Sequence, residues 1–129
     1  MNERCWTLLG SRDPASGTWR VRLEHLVDGT PARVEADWSW TLCREESHGD
    51  VAGFYHTHPQ GAGAGPSERD VRTMQAWCGA LGKALLCLIS EGDSAGSLQA
   101  CLFENDENAG APVASVAGSL DDVLTITER

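Results

Sequence analysis

The clearest structural pattern of the sequence lies in the middle of the chain. It begins with residues 51–59, VAGFYHTHP, continues through 60–66, QGAGAGP, and ends with 67–81, SERDVRTMQAWCGAL. The first part predicts a short buried strand that delivers the chain to two histidines, and the second has the composition of a loop. In the third part Ser67 is a good N-cap, and apolar residues then recur at three- and four-residue spacing, which predicts an amphipathic helix.

The segments on either side of this unit add strands to it. Apolar runs, or an alternation of apolar and polar residues, predict four further strands at 5–9, 19–27, 84–90 and 98–104. The pattern at 34–40 indicates either a strand or a short helix, and 113–129 has no clear pattern. Strands that alternate with at least one helix predict an α/β domain with a mixed sheet. Since no linker divides the chain, we expect residues 1–129 to form one domain.

Composition and charge exclude several classes of protein. The chain has 129 residues, of which 41% are hydrophobic, and this is too apolar for a disordered protein and suits one globular domain. Ten Lys and Arg against nineteen Asp and Glu give a net charge of −9. So acidic a chain repels phosphates on average, and we predict no nucleic-acid partner. The longest apolar run of a core element, at 84–89, is far shorter than the roughly 18 residues of a membrane span, so we predict no membrane partner.

The five cysteines carry no disulfide or metal-binding pattern. Their number is odd and none are spaced as Cys-x-x-Cys; they are Cys5, Cys43, Cys78, Cys87 and Cys101. Three of them lie in apolar segments, where a free cysteine behaves as a small buried hydrophobe. Reduced core thiols, together with an N-terminus that lacks a signal-peptide pattern, predict a cytoplasmic protein.

Three residues of the central stretch have the chemistry of a metal site. His56 and His58, two apart on an extended chain, project to the same face, and Asp70 on the first turn of the next helix can close a three-ligand set. Two imidazoles and one carboxylate with an open fourth position are the usual composition of a catalytic zinc site, where the metal lowers the pKa of water. Each part also has a plainer interpretation: a His-x-His pair is often a surface pair, and Ser67 with Asp70 resembles a helix cap. The joint arrangement favours a site for one zinc ion per chain.

This combination resembles the JAMM/MPN+ zinc metalloproteases, also called JAB domains. Their signature is a distant Glu, then His-x-His-Pro, then Ser-x-x-Asp, and residues 56–59 and 67–70 match the last two parts. The resemblance implies a curved mixed sheet with flanking helices, in a cytidine-deaminase-like sandwich. It also implies that His56, His58 and Asp70 are the zinc ligands, and that Ser67 stabilises the oxyanion of the tetrahedral intermediate.

The family's Glu lies near the start of the domain, in a Glu-x-Cys-Gly-x-Leu-x-Gly context. Residues 3–10, ERCWTLLG, match this context at the Glu, the Cys, the Leu region and the final Gly. The resemblance therefore implies that Glu3 is the general base, which takes a proton from the attacking water and later gives it to the leaving amine. Four other glutamates remain alternatives, although each is more simply a solvated charge: Glu24, Glu35, Glu45 and Glu46.

Two features depart from the family pattern. Eight residues separate His58 from Ser67, one more than in the family, and we expect the glycine-rich loop to absorb the insertion. Trp6 stands where the family has Gly, and we expect its indole to narrow the space beside Glu3.

The resemblance implies an isopeptidase or peptidase. Such an enzyme hydrolyses the bond at the C-terminus of ubiquitin or a ubiquitin-like protein, whose extended tail docks along an exposed strand edge. The compact chain is similar to stand-alone prokaryotic members that process small ubiquitin-like or sulfur-carrier proteins, and enzymes of the conjugation pathway are further implied partners. The alternative is a non-catalytic binding or scaffold module in a ubiquitin-like conjugation complex. A DNA-repair-associated branch of the family is disfavoured by the charge of −9.

Overall fold

A computed structural model describes residues 2–30, 34–92 and 97–129. The strands are β1 (Arg4–Asp13), β2 (Thr18–Asp28), β3 (Val51–His58), β4 (Leu85–Glu91), β5 (Gln99–Phe103), β6 (Ala111–Pro112), β7 (Ser115–Gly118) and β8 (Leu124–Thr127). Helix α1 (Trp38–His48) lies between β2 and β3, and helix α2 (Glu68–Leu81) lies between β3 and β4. Neither of these helices is long and apolar enough to cross a membrane.

The eight strands form one mixed sheet, in the order β6-β5-β4-β3-β1-β2-β8-β7. Strands β3 and β4 pair in parallel because α2 connects them as a crossover, and the other neighbouring strands of the described chain pair antiparallel. Strand β3 therefore lies inside the sheet, between β1 and β4. This order brings the carboxyl end of β3 beside the start of β1, where His56 is paired with Cys5.

The sheet buries side chains on both faces. On the first face α2 packs through Met74, Trp77 and Cys78 against Phe54 and its neighbours. On the second face Leu8, Trp19, Tyr55 and other strand residues form another cluster, against which Val116 and Leu120 of the C-terminal part pack. The sheet thus covers its own second face and is curled. The predicted α/β class with a mixed sheet is confirmed.

The local predictions around the central stretch are confirmed. Strand β3 continues through both histidines to His58. Helix α2 has Ser67 as its N-cap and ends at Gly82, whose φ of 67° is the left-handed conformation that glycine adopts readily. The open choice at 34–40 is resolved as an irregular segment followed by α1, which begins after the N-cap Asp37. Residues 113–129, which had no clear pattern, contribute β7 and β8.

Gly53 allows β3 to lie against β4. A Cβ built on Gly53 would stand 1.9 Å from the carbonyl oxygen of Leu86, and its φ of 147° is one that L side chains rarely adopt. Only glycine satisfies both conditions at this position. Because Gly53 has no side chain, the strand that carries the two histidines can pair closely with β4.

The cysteines behave as the sequence predicts. All five are free thiols, and four are buried, with Cys43 exposed. Burial raises the pKa of Cys5 to about 12, with a smaller contribution from the nearby Asp70 carboxylate. A thiol with so high a pKa stays protonated at neutral pH, which is typical of a structural cysteine.

Candidate metal centre

His56 and His58 come from the carboxyl end of β3, on the face that α2 covers. The period-two alternation of the strand turns both imidazoles to the same side, as predicted. Their Nε2 atoms lie 3.2 Å apart. The backbone of one strand is thus sufficient to bring two potential ligand atoms together.

Asp70 reaches the two histidines from the first turn of α2. Its backbone N–H donates to Ser67 Oγ at 3.1 Å, and its Oδ2 accepts from the Ser67 N–H at 2.8 Å, which is a capping box. The same carboxylate places Oδ1 3.2 Å from His56 Nε2 and Oδ2 3.1 Å from His58 Nε2. The cap and the metal-ligand interpretation are therefore compatible, because the cap orients the carboxylate toward the imidazoles.

The spacing of these donor atoms fits a zinc ion. The ligand atoms of the three residues all lie within 4.8 Å of one another. Zinc–ligand bonds of about 2.0–2.2 Å at tetrahedral angles place neighbouring ligand atoms roughly 3.3–3.6 Å apart. The two Nε2 atoms lie 3.2 Å apart, and each lies 3.1–3.2 Å from a different oxygen of the Asp70 carboxylate, which is slightly shorter than that spacing.

The second ring nitrogen of His58 also fits a metal ligand. Nδ1 lies 2.9 Å from the carbonyl oxygen of Gly63, to which it donates its hydrogen, so that the neutral, metal-binding form of His58 has its lone pair on Nε2, toward the site. Gly61 and Gly63 have φ of 87° and 83°, and the Gly61 N–H donates to Glu91 Oε2 at 2.8 Å. The glycines thus let the loop curl back onto His58, which agrees with the expectation that the loop absorbs the extra residue.

The charges of the site favour the form that binds metal. Burial is the largest single effect and raises the pKa of the Asp70 carboxyl, but the hydrogen bonds with His56 and His58, the charge of His56 and the Ser67 N–H together lower it by more, so it lies well below its ordinary value of 3.8. The hydrogen bond to Asp70 in turn raises the pKa of His58. The carboxylate is therefore ionised at neutral pH, while bound metal and protons compete for the imidazoles.

Glu3 and Ser67 line the same small cavity as the three candidate ligands. This cavity has a volume of about 80 Å³, and its other lining residues are Val34 and Arg69. Glu3 is only 9% exposed. The residues that the family resemblance singled out thus line one cavity, although Glu3 and Ser67 are more than sixty residues apart in the sequence.

The backbone of Glu3 is held from the side of β2. Its N–H donates to the Thr30 carbonyl at 2.9 Å, and its carbonyl accepts from the Gly29 N–H at 2.8 Å. The negative charge of Glu3 contributes to the raised pKa of His58. The carboxylate is therefore near enough to the imidazoles to act on the same small volume.

The four alternative glutamates lie outside this cavity. Glu24 is on β2, and Glu45 and Glu46 are on α1. Glu35 borders a neighbouring apolar cavity and forms an ion pair with Arg69, with 3.3 Å between Arg69 Nη2 and Glu35 Oε1. Of these four, Glu35 is the one whose cavity adjoins the candidate metal centre.

The expectation that Trp6 narrows the space beside Glu3 is wrong. Alternation along β1 turns Cys5 toward α2 and Trp6 toward the second face of the sheet. There the indole stacks on Tyr55 with 5.0 Å between ring centroids, and the Arg4 guanidinium lies 5.4 Å from the Trp6 ring. The indole lines a groove of about 850 Å³ on that face. The sheet itself separates it from the candidate metal centre.

Sequence reasoning missed two groups at the site. Arg69 lines the cavity and bridges to Glu35, although an Arg in the first turn of a helix is usually only solvated. The Gly63 carbonyl orients His58 through the loop. A backbone carbonyl has no signature in the sequence, and the role of Arg69 depends on the neighbouring segment at 34–36, so neither could be found from local pattern.

Comparison with known proteins agrees with this geometry. A family model described as prokaryotic homologs of the JAB domain, Prok-JAB, matches residues 1–102. The matched part includes both histidines, Asp70, Ser67 and Glu3, and it extends into β5. No curated protein matches the chain. The chain therefore belongs to the family of prokaryotic homologs of the JAB domain, as the resemblance of its motifs indicated.

Proposed function

We propose that this chain is a zinc-dependent peptidase or isopeptidase that cleaves the C-terminal peptide or isopeptide bond of ubiquitin or a ubiquitin-like protein. The observation that carries the proposal is the convergence of His56, His58 and Asp70 beside Glu3 on one cavity. Membership of the JAB family supports it, because that family includes metalloproteases. We further propose that residues 1–129 act as one catalytic domain, with a cytidine-deaminase-like arrangement of sheet and helices, in the cytoplasm.

In this reaction the chain's own residues hold, orient and move protons. His56, His58 and Asp70 would hold the zinc ion, which when bound would polarise the scissile carbonyl and lower the pKa of water at the open position. Glu3 acts as the general base, accepting a proton at its carboxylate from the attacking water. It then returns that proton to the leaving amine.

Ser67 is suited to stabilise the oxyanion. Its Oγ accepts a hydrogen bond from the Asp70 N–H at 3.1 Å, which leaves the single hydroxyl hydrogen for donation toward the cavity that Ser67 lines. A donor held in place before the reaction stabilises negative charge as it develops on the carbonyl oxygen. The N-cap of α2 thus supplies a second function without any change in its capping geometry.

The size of the cavity supports a slim substrate tail. A cavity of about 80 Å³ has little room beside the candidate ligands, which favours a substrate whose end is an extended backbone with very small side chains. The Gly-Gly end of ubiquitin-like proteins has this shape. Strand β3 is paired with β4 as far as His58 and with β1 as far as His56, so only residues 57–58 lack a partner strand on one side, which is too short an edge for an extended tail. We propose instead that the tail passes the irregular segment at residues 34–36, which borders this cavity and the one next to it.

The proposal is tested by cleavage of a ubiquitin-like protein that carries a C-terminal extension after Gly-Gly. We expect the zinc-loaded protein to release the extension, a chelator to stop cleavage, and added zinc to restore it. Glu3→Gln should retain zinc and lose about 10²- to 10⁴-fold in kcat, the usual range for a general base. Glu46→Gln, at an exposed glutamate of α1, is the matched control and should keep full activity.

Two outcomes would contradict this assignment. If Glu35→Gln is inactive and Glu3→Gln is active, the general base is the other carboxylate near the site. If the zinc-loaded chain binds the ubiquitin-like protein and leaves it intact, the chain is the non-catalytic binding module rather than an enzyme.

A further inference from the structure

Thr57 lies between the two histidines of the candidate metal centre, but its side chain alternates away from their imidazoles. It is 2% exposed, and its Oγ1 accepts a hydrogen bond from the Arg4 N–H at 2.9 Å. The bond joins residues 53 positions apart in the sequence. It therefore ties β3 to β1 at the residue that follows Glu3.

This hydrogen bond lies where the backbone pairing of β1 with β3 ends. Backbone pairing of the two strands ends at the pair that contains His56. At the next position Arg4 donates to the side-chain hydroxyl of Thr57. Beyond it, Glu3 makes both of its backbone hydrogen bonds with residues 29–30, which follow β2. The Thr57 side chain thus spans the gap that opens between the strands just before the site.

Thr57 also borders the space behind Glu3. Glu3 and His58 line a second cavity, of about 170 Å³, and Thr57 lines this one as well. In a regular antiparallel ladder Glu3 would stand directly opposite His58, at ordinary strand spacing. The hydroxyl bond to Arg4 takes the place of that pairing and so sets how far the Glu3 backbone lies from the histidines.

We propose that Thr57 is a positioning residue, which holds the Glu3 carboxylate at the reaction site through its hydrogen bond to the Arg4 N–H. The inference rests on the proposed function, because it assigns Thr57 a part in the same reaction. It goes beyond that function by naming a residue that binds neither metal nor substrate and acts only through Glu3.

The first test compares two variants that differ in the hydroxyl. Thr57→Val has nearly the same shape and lacks the acceptor, whereas Thr57→Ser keeps it. We expect Thr57→Val to retain zinc and to lose about 10- to 100-fold in kcat with KM unchanged within about twofold, since misplacement by about 1 Å costs roughly 100-fold. Thr57→Ser should restore kcat to within about threefold of the wild type.

The second test needs no activity. Hydrogen exchange of the Arg4 amide in the metal-free protein should be at least about tenfold faster in Thr57→Val than in the wild type, and slow again in Thr57→Ser. Thr7→Val is the matched control. It removes a buried hydrogen bond from β1, the strand that contains Arg4, because Thr7 Oγ1 lies 3.0 Å from Thr41 Oγ1. It should lose stability while keeping kcat and the slow exchange of Arg4.

The outcomes separate the inference from the proposed function. If Thr57→Val has full kcat while Glu3→Gln is inactive, the positioning role is wrong and the enzyme assignment stands. If the wild type is inactive, the enzyme assignment fails, and crystal structures decide the inference: a Glu3 carboxylate displaced by about 1 Å in Thr57→Val supports it, and an unmoved one overturns it. If Thr57→Val does not fold, Thr57→Ala takes its place in each comparison with Thr57→Ser.

Discussion

Substitutions of Ser67 separate the two roles that we assign to its hydroxyl. Ser67→Ala removes both the acceptor that caps α2 and the donor that faces the cavity. Ser67→Asp keeps an acceptor for the Asp70 N–H but has no hydrogen to donate, and Ser67→Thr keeps both. We therefore expect the three variants to show three different combinations of stability and activity.

The magnitudes follow from the contacts of Ser67. The bond from the Asp70 N–H to Oγ is 3.1 Å long, and losing a cap of this kind costs about 1 kcal/mol. The reciprocal bond from the Ser67 N–H to Asp70 Oδ2, at 2.8 Å, uses the backbone and survives the substitution. At the usual entropy of unfolding per residue, 1 kcal/mol lowers the Tm of a domain of this size by about 4 °C. Loss of one oxyanion donor costs about 10²- to 10³-fold in kcat.

Thermal unfolding and kcat at saturating substrate measure the two effects. We expect Ser67→Ala to lose about 4 °C and at least about 100-fold in kcat. Ser67→Asp should keep its Tm within about 2 °C and be as slow as Ser67→Ala, and Ser67→Thr should be close to the wild type in both. Full kcat in Ser67→Asp would refute the oxyanion role, and an unchanged Tm in Ser67→Ala would refute the capping contribution.

Two further predictions concern the fold. Gly53→Ala should lower the free energy of unfolding by about 3 kcal/mol or more, because the new Cβ meets the Leu86 carbonyl. Gly65→Ala is the control: a Cβ there has nothing within 4 Å, so it should change that free energy by less than about 0.5 kcal/mol. Near-equal urea midpoints for the two variants would contradict the tight packing of β3. The hydrogen bonds from Arg12, both 2.7 Å, lower the pKa of Glu128 below its ordinary value of 4.5. The unfolded chain thus binds this proton more tightly, so the stabilisation is complete above about pH 5 and is lost as pH falls through the lowered pKa. Urea unfolding of Glu128→Gln should lack that part of the acid loss, and an acid dependence equal to the wild type's would count against this pair.

Local signals predicted the part of the fold that surrounds the site. The strand, glycine-rich loop and helix at 51–81 each have a pattern within a few residues, so their order followed directly, although β3 includes both histidines instead of ending before them. Helix α1 could not be predicted in the same way, because Thr41 is its one buried residue and leaves no apolar periodicity. Strands β7 and β8 are four residues long and are held by pairing with each other and with β2, which is a long-range property.

Part of the candidate site could be predicted from local sequence pattern, and part of it could not. His56, His58 and Asp70 could be found because fifteen consecutive residues contain all three, on a strand and on the helix that follows it. The position of Glu3 depends on the pairing of β1 with β3, and only the family resemblance pointed to it. The expectation for Trp6 was wrong because alternation along β1 places Cys5 and Trp6 on opposite faces of the sheet.

The bond between Arg4 and Thr57 shows why the remainder was out of reach. A threonine between two histidines has no distinctive pattern, and its partner is a backbone N–H 53 residues away. Such a contact exists only once the strands have been aligned. The chemistry of the site was therefore predictable from the sequence, whereas the groups that hold its parts in place were not.

Whether His56, His58 and Asp70 hold zinc can be seen by anomalous diffraction at the zinc absorption edge from crystals of the zinc-loaded protein. We expect one anomalous peak, about 2.0–2.2 Å from Nε2 of both histidines and from a carboxylate oxygen of Asp70. A map with no peak between these three side chains, or with its peak on other residues, would contradict zinc binding at this site.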